Sequence, residues 1–260
     1  MIQPRKAIAA AKARELLNEL NILEPDEIDI ERIAFFKDAE IRYETLQGMD
    51  GRIVSEGKAA VITVNKKITF EGQRRFVIAH ELGHYFLHPK TRQVENVTQD
   101  QTNNWSEQQD VEEYEANLFA AELLMPSAMF STRIKGKVPS FDLIESLQKD
   151  FKTTLTATAV QFVLNSKEEC AIVSVEGRQR KWFILSPGFE FRMLEDTYVH
   201  GCSCAAEVGP GKKAVRSSQV EAGYWLEGFR GYHKALITED AHYFPVLGRS
   251  LSLLWIHDAI

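Results

Sequence analysis

The stretch Arg74-Arg75-Phe76-Val77-Ile78-Ala79-His80-Glu81-Leu82-Gly83-His84-Tyr85-Phe86-Leu87-His88 combines a helical pattern with closely spaced histidines. Its apolar residues cover most of the circumference of a helix, which is typical of a buried helix. Residues four positions apart lie on one helix face, so His80 and His84 can bind a single metal ion. Glu81, between them, can reach a water on that metal. The stretch therefore predicts a buried metal-binding helix that carries the HExxH motif.

The burial of this motif makes a chance match improbable. The chain has only 7 His among its 260 residues. Burying two imidazoles beside a carboxylate is costly without a partner, and a metal ion removes that cost. The alternative interpretation is a pair of ordinary core histidines. His88 follows His84 at the same spacing, but we interpret it as the end of the helix, where an imidazole favours the negative pole of the helix dipole.

A third metal ligand is expected, because a catalytic zinc site uses three protein ligands and leaves one position for water. The next strong helical segment is Asp110 to Met125, and Pro126 ends it. Glu113 and Asn117 share a face of that helix whose other residues are alanines. Such a small face lets a second helix approach closely. Glu113 is therefore a candidate ligand, and Asn117 is placed to support a ligand from one turn further along.

Other carboxylates on the same helix are alternatives to Glu113. Glu115 lies about 200° around the helix from Glu113, so the two cannot both face the metal. Glu112 is a second rival, and Glu122 continues the face of Glu115. We expect Glu115 and Glu122 to be surface carboxylates. Composition alone does not show which of these carboxylates is the third metal ligand.

The two helical segments together resemble the ImmA/IrrE family of metallopeptidases. The resemblance is carried by the runs 75–84 and 113–126. Members of this family are gluzincin-like enzymes whose third ligand is a Glu in an E-x-x-[AS]-[ND] setting, which Glu113 to Asn117 match position by position. The resemblance therefore implies Glu113 as the third ligand. It is close over residues 25–130 and loose over residues 131–165.

The resemblance also implies a function. It indicates an intracellular zinc-dependent endopeptidase that cleaves a DNA-binding repressor or an antitoxin-like protein. In such an enzyme His80, His84 and Glu113 bind Zn²⁺, and Glu81 acts as the general base. Mn²⁺ is a possible replacement, because mixed nitrogen and oxygen ligands do not exclude it. The alternative is a non-catalytic metal-binding regulator or partner-binding protein.

Composition limits the possible partners. The net charge of −6 argues against direct nucleic-acid binding, which requires a basic surface. No apolar run reaches membrane-spanning length, and the first residues read as an amphipathic helix rather than a signal peptide. The odd number of cysteines (Cys170, Cys202 and Cys204) fits a reducing cytoplasm. We therefore expect a cytoplasmic protein without membrane contact, and the oligomeric state is not indicated.

The sequence predicts an α+β fold in three parts. These are a small gluzincin-like zinc-peptidase core (residues 1–130), a helix-turn-helix-like module (131–166) and a C-terminal sheet-rich α+β domain with a possible sensory role (167–260). The second helix of the module carries no Arg or Lys between positions 154 and 164. A groove-reading helix needs such residues, so we interpret the module as a packing or partner-docking unit.

Several local features lead to further expectations. Residues 59–65 read as a strand that either binds substrate at a sheet edge or lies in the core. Thr69 is a plausible N-cap for the metal-binding helix. Residues 89–110 are polar and predict a long loop, which is either one wall of the cleft or disordered. His200 with Cys202 and Cys204 offers only a weak second metal site, and we favour a structural role for it.

Overall fold

The computed structural model confirms the predicted α+β class. It divides the chain into two compact units, Met1–Arg133 with Glu145–Gln161 and Ile134–Ile144 with Phe162–Ile260. The predicted division into three parts stays a prediction. The structure describes residues 6–88, 92–98, 104–106, 110–229, 235–245 and 247–257.

The helices lie mainly where the sequence predicts them, and α1 agrees with the predicted amphipathic helix. No helix within the described residues is long and apolar enough to span a membrane. The helices are α1 (Lys6–Glu19), α2 (Ile30–Phe36), α3 (Glu71–Leu87), α4 (Val111–Leu124), α5 (Ser127–Ile134), α6 (Phe141–Phe151), α7 (Leu155–Asn165) and α8 (Cys204–Glu207).

The first unit contains a four-stranded sheet in the order β1-β3-β2-β4. Its strands are β1 (Ala39–Glu44), β2 (Gly51–Glu56), β3 (Ala59–Asn65) and β4 (Arg92–Val97). β3 pairs with β1 in parallel and with β2 in antiparallel fashion. Because both sides of β3 are paired, the hypothesis that residues 59–65 bind substrate at a sheet edge is wrong, and β3 is the core strand of the alternative.

β4 corrects the prediction of a continuous loop over residues 89–110. It pairs with β2 in antiparallel fashion, with Val94 opposite Val54 and Val97 opposite Gly51. The polar sequence of the strand concealed it, since an edge strand buries little of its surface. Residues 89–91, 99–103 and 107–109 of the predicted loop lie outside the described residues.

Helix α3 begins at Glu71 with Phe70 as its N-cap, and the cap makes no side-chain hydrogen bond. The predicted cap Thr69 is therefore wrong. The start of the helix is instead fixed by packing. A Cβ on Gly72 would lie 2.5 Å from the backbone oxygen of Thr153, so the turn between α6 and α7 packs directly on the first turn of α3.

The carboxylates of α4 contradict one prediction. Glu115 and Glu122 are 1% and 4% exposed rather than on the surface. Every residue of α4 from Tyr114 to Leu124 is buried, so the helix has no solvent face along that length. Glu122 accepts hydrogen bonds from the Ser127 hydroxyl at 2.6 Å and from Arg14 at 3.1 Å. These partners offset the cost of burying its charge.

The second unit contains a five-stranded antiparallel sheet in the order β6-β5-β9-β8-β7. This sheet agrees with the sheet-rich character predicted for residues 167–260. The strands are β5 (Cys170–Glu176), β6 (Gln179–Leu185), β7 (Val215–Glu221), β8 (Leu236–Phe244) and β9 (Arg249–Trp255).

Strand β8 is difficult to recognise in the sequence because it carries a charged residue into the core. Glu239 is fully buried and accepts hydrogen bonds from the backbone N–H groups of Cys204 and Ala205 and from the Trp225 indole. Burial raises the pKa of Glu239, and these hydrogen bonds act in the opposite direction. The carboxylate thereby joins the start of α8 to the sheet.

Gly83 sets the distance between α3 and α4. A Cβ there would lie 2.9 Å from the Ala116 Cα and 3.1 Å from its backbone oxygen. Gly83→Ala should gain about 1 kcal/mol from helix propensity, but overpacking against a rigid backbone costs about 1–3 kcal/mol. We therefore expect a net loss of stability, measured as the free energy of unfolding in urea.

Gly188→Ala is the control, because no atom lies within 4 Å of a Cβ at Gly188. It should change the free energy of unfolding by less than about 0.5 kcal/mol. A Gly83→Ala variant that is as stable as the wild type would contradict the proposed tight contact.

Candidate metal centre

Helix α3 carries both predicted histidine ligands into the interior of the first unit. His80 and His84 are 0% and 1% exposed. The Nε2 atoms of the two rings lie 3.0 Å apart, so both rings point their outer nitrogen at the same place. This arrangement follows from the helical spacing of four residues.

Helix α4 brings Glu113 to the same place. Its carboxylate oxygens lie 3.3 Å from His80 Nε2 and 3.4 Å from His84 Nε2. Bond lengths of about 2.0–2.1 Å to zinc put adjacent tetrahedral ligands about 3.3 Å apart. His80 Nε2, His84 Nε2 and the two oxygens of the Glu113 carboxylate therefore converge, with separations close to those between ligand atoms of a zinc site.

No other group of His, Cys, Asp or Glu side chains within the described ranges has such convergent donor atoms. His200, Cys202 and Cys204 form no such group. Glu115 is directed elsewhere, with its Oε2 3.6 Å from His88 Nε2. His88 is the C-cap of α3, as expected from the sequence, and its backbone N–H donates to the His84 carbonyl.

The protonation states of these ligands suit a metal, which binds neutral imidazole and ionised carboxylate. Burial lowers the pKa of His80, with hydrogen bonding to Glu113 opposing it. Burial alone would raise the pKa of Glu113, but hydrogen bonds and charge interactions with His80 and His84 hold it well below its ordinary value. Both pKa shifts favour the forms of these side chains that bind a metal ion.

Asn117 is one turn beyond Glu113 and is fully buried. Its Oδ1 lies 2.9 Å from Nδ1 of His80. A hydrogen bond from Nδ1–H to this oxygen leaves Nε2 of His80 unprotonated and directed at the metal position. This is the usual way in which a supporting residue fixes a histidine ligand.

Glu81 lies beside the three-residue group and is fully buried. The first residue of β2, Gly51, approaches it closely. A Cβ on Gly51 would lie 3.0 Å from Glu81 Oε1 and 2.4 Å from Val77 Cγ1. The sequence alone did not single out Gly51 as part of this site. A glycine that begins a strand was the available signal, since it often marks a close backbone approach.

The chain resembles known proteins over the region of this centre. Residues 37–162 match a peptidase family model described as the IrrE N-terminal-like domain. The chain is 30% identical over 99 residues to the metallopeptidase ImmA of Bacillus subtilis (strain 168), a match that covers 35% of this chain and 54% of that protein. The chain thus spans about half the length of this relative.

A solved structure resembles the whole chain more distantly. It is a Mycobacterium tuberculosis transcriptional regulator, with a TM-score of 0.59 and 13% identity over 95% of this chain and 76% of that chain. At this identity the similarity concerns the fold alone. The family model, whose matched range contains both histidines and Glu113, and the similarity to ImmA together support residues 37–162 as a domain of the ImmA/IrrE metallopeptidase type.

Proposed function

We propose that the chain is a zinc-dependent endopeptidase of the cytoplasm that cleaves a helix-turn-helix repressor or an antitoxin-like protein. His80, His84 and Glu113 hold the metal, and Glu81 is the general base. The observation that carries the proposal is the spacing of 3.0–3.4 Å among the three donor groups, next to a fourth group, the buried carboxylate of Glu81. Three protein ligands leave one position open, which is typical of a catalytic rather than a structural zinc site.

The residues divide the chemistry between them. The chemistry that zinc supplies when bound is Lewis acidity, which polarises the scissile carbonyl and makes an attacking water more acidic. A carboxylate oxygen of Glu81 accepts the proton of that water and then donates it to the amine that leaves. Burial of Glu81 excludes competing solvent and strengthens its electrostatic interactions. Asn117 keeps His80 in the tautomer that the metal requires.

The sheet offers a route for substrate. Within the described residues, β4 pairs with β2 on one side only. Val97, at its end, is close to Gly51, and Gly51 in turn is close to Glu81. An extended peptide paired with the outer edge of β4 would lie at the end of the sheet where Gly51 approaches Glu81. The proposed substrate segment is accordingly an extended linker or loop rather than a folded helix.

A protein partner is favoured over nucleic acid. A helix that reads a DNA groove must expose side chains to the bases. In α7 such residues are buried, among them Thr158 and Gln161, which are 0% and 3% exposed. The net charge of −6 would oppose binding to phosphates. Because repressors carry basic DNA-binding surfaces, the acidic charge of this chain would attract them instead.

A non-catalytic regulator is the second candidate, because the fold resembles that of a transcriptional regulator. A gel-shift experiment distinguishes the two. Salt-sensitive binding of the purified chain to DNA would support the regulator, whereas the protease requires cleavage of a protein that zinc chelation abolishes.

Zinc content tests the metal centre. The purified chain should bind one Zn²⁺, measured by elemental analysis after dialysis. Mn²⁺ should compete more weakly, because sites with nitrogen and oxygen ligands generally bind Mn²⁺ less tightly than Zn²⁺. His84→Ala should lose most of this zinc. His200→Ala should retain all of it, because His200 is exposed and outside the ligand group. Equal zinc loss in both variants would contradict the assignment.

Glu81→Gln tests the reaction. The amide cannot accept the proton of the water, so cleavage of a peptide library or of a panel of helix-turn-helix repressors should fall by about 10²–10⁴-fold. Zinc content should stay at the wild-type level. Glu71→Gln is the control, because Glu71 is an exposed carboxylate on the same helix and should leave the rate unchanged. Wild-type rates in Glu81→Gln would exclude this mechanism.

Gly51→Ala tests the placement of the general base. Its Cβ would displace the Glu81 carboxylate, so kcat should fall about tenfold or more, since small misplacements of a reacting group are costly. Zinc affinity should be retained. In the double variant with Val77→Ala, the closest clash is removed, and the tight contacts with Glu81 and Val97 remain. If that double variant regains the rate of Val77→Ala alone, Gly51 does not act through Glu81.

A further inference from the structure

A short segment between the two ligand helices is firmly anchored. It comprises Asn104, Trp105 and Ser106, and we call it the Trp105 segment. Trp105 is fully buried and packs edge-on against Phe76 of α3, with ring centroids 6.1 Å apart. The backbone N–H of Ser106 donates to Asn104 Oδ1 at 3.0 Å, which closes a local turn. The backbone of Asn104 is therefore held in a defined position next to α3.

The carbonyl of this backbone contacts the residue that supports the metal ligand. Asn117 Nδ2 donates to the Asn104 carbonyl oxygen at 3.1 Å, while Asn117 Oδ1 faces His80 Nδ1 at 2.9 Å. A carbonyl oxygen can only accept a hydrogen bond, so it requires the NH₂ group of the amide on its own side. The amide oxygen must then face His80.

The orientation of this amide decides where His80 carries its proton. A carboxamide is nearly symmetric in shape, so Asn117 could turn by about 180° without steric cost. In the turned state an N–H group would face Nδ1 of His80, and the ring proton would move to Nε2. A protonated Nε2 cannot bind a metal, because binding uses its lone pair.

We propose that the Trp105 segment is part of the metal centre and selects the metal-binding tautomer of His80. Trp105 fixes the Asn104 carbonyl, the carbonyl fixes the Asn117 amide, and the amide fixes the proton on Nδ1 of His80. Trp105 and Asn104 are positioning residues, since neither contacts the metal or the substrate. The proposal rests on the zinc site described under Proposed function. The effect of the Trp105 segment on the tautomer of His80, however, does not require a bound metal.

A double-mutant cycle separates this mechanism from general packing. Trp105→Ala frees the carbonyl and should weaken zinc binding about tenfold, the lower end of effects seen for supporting residues. Asn117→Asp supplies a carboxylate that accepts from His80 in either orientation. In that background, Trp105→Ala should weaken zinc binding no further. An equal loss in both backgrounds would overturn the proposal, as would the absence of any loss in the wild-type background.

Two further variants serve as controls. Trp105→Phe keeps the packing on Phe76 and removes an indole N–H that has no hydrogen-bond partner among the described residues, so zinc affinity should stay within about twofold of wild type. Phe130→Ala removes an equally buried ring that packs on Phe151 in the same unit. It should reduce stability but leave zinc affinity unchanged. Trp105→Leu replaces Trp105→Ala if the latter does not fold.

Nitrogen-15 NMR of the histidine rings gives a readout that does not depend on zinc. The measurement uses the metal-free Glu113→Ala background, which removes the carboxylate that faces His80 Nε2. There His80 should be protonated at Nδ1, and adding Trp105→Ala should give a mixture with the Nε2-protonated form. Adding Phe130→Ala should not change the tautomer. Failure of the wild type to bind zinc would refute the proposed enzyme, whereas an unchanged His80 tautomer when Trp105→Ala is added would refute this inference alone.

Discussion

The close packing of α3 against α4 is the constraint on which the candidate metal centre depends. Gly83 and Ala116 bring the two helix backbones together, because a Cβ at Gly83 has no room. At this separation a glutamate side chain from α4 spans the gap and meets both imidazoles of α3. A larger spacing would leave Glu113 short of the histidines. A smaller spacing is prevented by the backbones themselves.

Burial of polar groups is the second constraint, and it explains why so many supporting contacts surround the centre. His80, Glu81, His84 and Asn117 are all at most 1% exposed, which is costly unless each group has a compensating interaction. The hydrogen bond between Asn117 and His80 offsets part of the cost of burying His80, and the Glu113 carboxylate faces both imidazoles. A divalent cation would complete this compensation, because it replaces the repulsion of converging lone pairs with attraction.

Sequence patterns predicted those parts of the molecule in which local periodicity and chemistry agree. The helical spacing of HExxH, the apolar helix-forming residues around Glu113 and the β-branched run at residues 59–65 all agree with the structure at those positions. Glu113 itself was chosen through family resemblance, since Glu112 and Glu115 have the same side chain.

The remaining features depend on contacts between residues far apart in sequence. β4 is a polar strand whose pairing partner β2 lies far earlier in the chain, so its own sequence does not resemble a strand. Glu115 and Glu122 were expected on the surface, because nothing in α4 indicates that other helices cover its far side. Gly51 and Trp105 likewise acquire their roles from neighbours on other elements. The structural roles of such residues are set by tertiary contacts.

X-ray absorption at the zinc edge of the zinc-loaded chain tests the central claim most directly, because it measures the ligands themselves. The account predicts four nitrogen and oxygen neighbours at about 2.0–2.1 Å, two of them with the scattering pattern of imidazole, and no sulfur. A sulfur neighbour at about 2.3 Å would place the zinc on a cysteine instead and contradict a site built from His80, His84 and Glu113.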